Sequence, residues 1–111
     1  MRYLGYIVFF FLIPLYGISQ EAGNELYHRA DSLIRTGSYS EAIDAYRLFI
    51  GFEKSNEEPD WKKISESYNN IGVAYFYTRD YIGAAKAFED GLAIDREYNP
   101  ENIASRLSNL G

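Results

Sequence analysis

The side chains that could do chemistry in this chain are few and poorly placed for it. His28 is the single histidine. On a helix it falls beside Tyr27 and off the apolar stripe, so it reads as an exposed or half-buried structural histidine rather than a base or a metal ligand. With no cysteine there is neither a disulfide framework nor a thiolate metal site, and a metal would be left with carboxylates alone. The densest acidic group is Glu57, Glu58 and Asp60, which lacks the glycine and the alternation of a calcium loop. It reads as solvated loop charge plus a helix cap. No Gly-rich phosphate loop and no Gly-x-Ser-x-Gly occur, and the serines near Asp or Glu stand at helix starts, where capping accounts for them. The expectation is a protein that is not an enzyme, with no catalytic residue, no cofactor and no metal.

What remains is a surface, so the elements that would present it come next. The stretch 68–94 carries the strongest pattern. Tyr68, Ile71, Gly72 and Tyr75 fall on one helical stripe, as do Tyr81, Ala84, Phe88 and Leu92. Thr78, Arg79 and Asp80 leave only a short turn between them, which forces two antiparallel helices into contact. Gly72 and Ala84 are expected to be small where the partner backbone approaches, with Tyr75, Tyr81 and Phe88 filling the space.

Upstream, Asn24 to Thr36 places Leu26, Ala30, Leu33 and Ile34 on one face, and Gly37 is a natural stop. Ser38 and Glu41 have the spacing of a capping box, ahead of a second helix with Ala42, Tyr46, Phe49 and Ile50 inward. Residues 55–59 are polar, contain a Pro, and read as a loop. Asp60 then caps a helix predicted over Trp61 to Tyr77, with Trp61 expected to pack against the end of the first hairpin. Asn99 and Pro100 mark another start, Asn as cap and Pro in the first turn.

Met1 to Ser19 reads as a signal peptide: Arg2, then an apolar core over 4–18, then Gly17-Ile18-Ser19 as a small-x-small cleavage site. The apolar core falls short of the roughly 20 residues of an unstrained membrane span, so cleavage is the preferred reading and an uncleaved anchor over residues 3–19 the alternative. Either places the remainder outside the cytoplasm, periplasmic or extracellular. A net charge of -5 with scattered basic residues argues against nucleic acid as a partner, and the membrane is expected as a partner only through the N-terminal segment if that segment is uncleaved.

The pattern over 68–94 resembles a tetratricopeptide repeat, a helix-turn-helix unit of about 34 residues. Tyr68 stands for its first aromatic, Ile71-Gly72 for Leu-Gly, Tyr75 for its Tyr, and Ala84 with Phe88 for the second-helix pair. Gly91 stands where the family has Ala, Arg96 where it often has Pro, and Arg79 where a turn Gly is common. Tyr39 to Ala42 repeats as Tyr81 to Ala84 at a spacing of 42, and Ile103 to Gly111 echoes Ile64 to Gly72 at a spacing of 39. The resemblance implies an all-α, right-handed α-solenoid of antiparallel helix pairs: repeat one over about 24–54, repeat two over about 61–97, and a partial third repeat or capping helix over 100–111, making 20–111 one domain after the 1–19 segment.

The resemblance also implies what such a domain does. First helices of successive repeats line a concave groove for a peptide or partner helix, which gives a protein–protein or peptide interaction scaffold. The matching groove positions are Tyr27, Asp31, Ile34 and Arg35 in the first repeat and Glu66, Asn69, Val73, Phe76 and Tyr77 in the second. Members that grip a C-terminal carboxylate use a Lys and an Asn where this chain has Tyr27 and Asp31, so that mode is not expected despite Asn70. The alternative reading is a small-ligand sensing input domain of a larger signalling protein, such as a histidine kinase or transcription regulator, with the ligand among Tyr27, Phe76 and Tyr77.

Overall fold

The computed structural model describes residues 20–104, and they are helical almost throughout. Four α-helices follow one another among the described residues: α1 over 20–35, α2 Tyr39–Lys54, α3 Trp61–Tyr77 and α4 Tyr81–Tyr98. A single 3-10 turn, Pro100–Asn102, follows α4. The expectations for the signal segment and for most of the third unit fall outside the described residues.

The core forms where the apolar spacing places it. Ala30 of α1 meets Ala42, Tyr46, Phe49 and Ile50 of α2 and Ile64, Ile71 and Ala74 of α3 in one buried cluster, with Leu26, Leu33 and Ile34 packed against it. Tyr46 and Phe49 are almost fully buried, and each such side chain contributes about 1.5 to 3 kcal/mol through burial. Tyr68 and Tyr75 of α3 reach back across α2. Their hydroxyls accept from Lys54 at 3.2 Å and from Arg47 at 3.3 Å.

The α3/α4 hairpin packs through small residues, though not as simple pattern reading expects. Gly72 faces the ring of Phe88 rather than a backbone, whereas Gly91 is the closer backbone approach. A Cβ on Gly91 would lie 3.2 Å from the Ser65 carbonyl oxygen. Gly91 thus stands where the family has Ala because α3 leaves no comfortable room for a methyl group. Tyr81 also departs from its expected inward role: it is 58% exposed and meets Phe76 edge-on, with centroids 5.5 Å apart.

The turns show which local signals hold. Gly37 has φ +80 between α1 and α2, a left-handed conformation that glycine adopts without Cβ strain. The equivalent position between α3 and α4 is filled by Arg79 at φ 67. Asp60 caps α3, its carboxylate accepting from Lys63 N at 3.1 Å, and Asp80 caps α4 by accepting from Gly83 N at 2.8 Å. Ser38 occupies the N-cap position of α2 but makes no side-chain cap bond, so the expected capping box is not formed. Its backbone N–H instead donates to the Leu33 carbonyl at 2.9 Å, closing the end of α1.

Asn99 stands at the N-cap position of the 3-10 turn with Pro100 first in it, as expected, but its side chain makes no cap bond there. Its Nδ2 donates to the Trp61 carbonyl oxygen at 3.1 Å and to Asp95 Oδ1 at 3.0 Å, which ties the start of α3 to the end of α4. Trp61 stacks on Tyr98 of the same pair, centroids 3.8 Å apart and planes 2° from parallel. It therefore closes its own hairpin as well as bordering the core of the first.

Candidate interaction groove

The first helices of the two pairs, α1 and α3, lie side by side. The Tyr27 hydroxyl donates to Glu66 Oε2 at 3.2 Å, and Lys63 Nζ stands 5.2 Å from the centre of the Tyr27 ring. The ring itself turns inward, edge-on to Phe49 at 5.1 Å and to Tyr46 at 6.0 Å, so only the polar tip of Tyr27 belongs to the surface. Burial, reinforced by the charge of Glu66, raises the Tyr27 pKa to about 12. Beneath it Tyr46 is buried, accepts from Asn70 Nδ2 at 3.1 Å, and has its pKa raised by that burial.

One turn along α1, Arg35 donates to Asp31 at 2.5 Å on a largely exposed face. Ile34 packs on the core, while Asn69 and Val73 are half-buried on α3. Tyr27, Asp31, Arg35 and Glu66 therefore share a polar strip along α1 and α3. Phe76 and Tyr77 do not join it. They lie ten and eleven residues beyond Glu66 along α3, about 15 Å or slightly more at the helical rise, and are 55% and 62% exposed. Tyr77 stacks on Tyr39 of α2 at 5.3 Å and 10°, and Phe76 meets Tyr81. These rings form an aromatic rim at the turn end of the hairpins, well away from Tyr27. His28 is exposed.

At the other end of the strip lies a cavity of about 560 Å³ that local spacing does not locate. The first turn of α1 contributes Gln20 and Asn24, the end of α2 contributes Phe49 and Glu53, and the loop with the start of α3 contributes Glu57 to Lys63 in part. Glu53 Oε1 accepts from the backbone of Asp60 at 2.8 Å, which holds the loop down across the cavity. The acidic density of the loop is visible in the sequence, but that α1 begins opposite it is a tertiary fact no local pattern carries. Among the described residues no group of three or more His, Cys, Asp or Glu could hold a metal ion. No helix among them is long and apolar enough to cross a membrane.

Residues 65–98 match the family model of the tetratricopeptide repeat, a span that covers most of α3 and all of α4. The described residues are helical almost throughout, and residues 65–98 form a repeat of the tetratricopeptide type. No curated protein and no solved structure matches the chain.

Proposed function

We propose that this protein is an exported interaction module that takes an extended peptide or a partner helix along the face shared by α1 and α3. The observation that supports this most directly is the Tyr27–Glu66 hydrogen bond. It joins the first helices of two consecutive pairs into one continuous strip with hydrogen-bonding groups from both, the kind of surface that tetratricopeptide repeats use for protein partners. Asn69 and Val73 line the strip on α3, and the exposed Phe76 and Tyr77 rim lies beyond it on the same helix as a separate aromatic anchor. Export rests on the apolar stretch after Arg2 and its small-x-small ending.

The test is selection of random peptides displayed against the full chain, followed by titration of the selected peptides against Val73→Arg. The substitution places a long cation in the middle of the strip without touching the buried cluster. Binding is expected to fall at least about tenfold with the melting temperature unchanged. Undiminished binding would remove the groove from consideration.

A further inference from the structure

We infer that the cavity at the α1 end of the groove is the seat for a basic side chain, lysine or arginine, of the peptide that lies along α1 and α3. The inference rests on the groove reading and adds the chemistry of its occupant. Gln20, Asn24, Tyr27 and Asp31 fall at offsets of 0, 4, 7 and 11, one stripe of α1. Two of them line the cavity and the other two lie on the polar strip. On α3, Lys63 borders the cavity and Glu66, one turn on, holds Tyr27. The cavity is thus the end of the same surface, and a chain running along the strip arrives in it.

The lining then selects what can enter. Phe49 and Gly23 present apolar wall, and the carboxylates of Glu53, Glu57, Glu58 and Asp60 face one cation, Lys63. That cation is already placed against the Tyr27 ring. Glu53 holds the Asp60 backbone and Asp60 caps α3, while Glu57 and Glu58 are exposed and take part in no ion pair among the described residues. A lysine or arginine matches this arrangement, laying its aliphatic stem on apolar wall and its head among carboxylates. An acidic residue or a chain-terminal carboxylate would meet like charge, an arrangement that excludes partners strongly. The net charge of -5 favours the same partners at longer range.

The experiment reads the composition of the peptides selected by the full chain, then their affinity for Glu57→Gln/Glu58→Gln. Both residues are exposed loop positions, so the variant is expected to melt as the parent does. Enrichment of Lys or Arg, with affinity lowered about tenfold in the variant and falling as salt is raised, is the expected result. Basic peptides that bind the variant unchanged would overturn the cavity as their seat. Acidic or uncharged peptides that are still lost on Val73→Arg would overturn the inference while the groove stands. If no peptide is enriched, both fall together.

Discussion

Three atoms of the Phe88 ring lie 2.5 to 2.9 Å from the point a Cβ on Gly72 would occupy. That spacing is closer than packed carbon atoms tolerate, so the ring and the missing side chain are complementary. Gly72→Ala is expected to lower stability by about 1 to 3 kcal/mol through overpacking, read as a drop in melting temperature. Pairing it with Phe88→Leu should recover part of the loss. Gly51 is the control: it is exposed on α2, and a methyl group added there would meet nothing within 4 Å, so Gly51→Ala should stabilise by about 0.5 to 1 kcal/mol. Equal effects at the two positions would refute the packing account.

The caps divide in a way that denaturant titration can check. Asp60→Ala and Asp80→Ala each remove a carboxylate that accepts from a first-turn N–H, and each should cost about 1 kcal/mol. Ser38→Ala removes no side-chain cap bond, and should stay within about 0.5 kcal/mol of the parent.

Arg79 sits at φ 67 in the α3/α4 turn, a conformation that costs a residue with a Cβ about 1 to 2 kcal/mol. Arg79→Gly relieves it but frees the unfolded chain, so a net gain of about 0.5 to 1 kcal/mol in unfolding free energy is expected. A loss would mean that the arginine side chain contributes more than its backbone costs.

The Tyr27–Glu66 pair makes stability depend on alkaline pH. Burial and the Glu66 charge raise the Tyr27 pKa from 10.0 to about 12. The folded state holds this proton more tightly than the unfolded chain. Its contribution is fully present below about pH 10 and is lost as pH rises through 12. Glu66→Gln removes the charge and should move the Tyr27 titration, followed by the NMR shift of its Cζ, back toward the usual value. Burial remains, so the return should be incomplete. A titration that does not move would detach Glu66 from Tyr27.

Most of the helix order is legible because each element carries its own signal. The α3 span from Trp61 to Tyr77 follows from Asp60 before it and the short turn after it, and the inward set on α2 follows from spacing alone. Signals fail where a side chain has a choice of partners. Ser38 and Asn99 both have cap chemistry, yet neither makes a side-chain cap bond. The α1/α2 turn is closed through the backbone at Ser38, and Asn99 finds the buried Asp95 and the Trp61 carbonyl within reach. The family resemblance assigns Tyr27 and Tyr77 to one groove. Tertiary packing instead turns Tyr77 onto Tyr39, from the preceding pair. The cavity is beyond local reading altogether, since its α1 wall and its loop wall are more than thirty residues apart.

Trp61 is the only tryptophan in the chain, and it lies flat on Tyr98. That stack therefore gives the protein a single indole fluorophore placed on the seam between the start of α3 and the end of α4. Its emission reports whether the second hairpin is shut at the edge where the chain leaves it. Helicity measured by circular dichroism follows all the helices together, so the two signals, recorded on one sample, separate opening of that seam from unfolding of the whole stack.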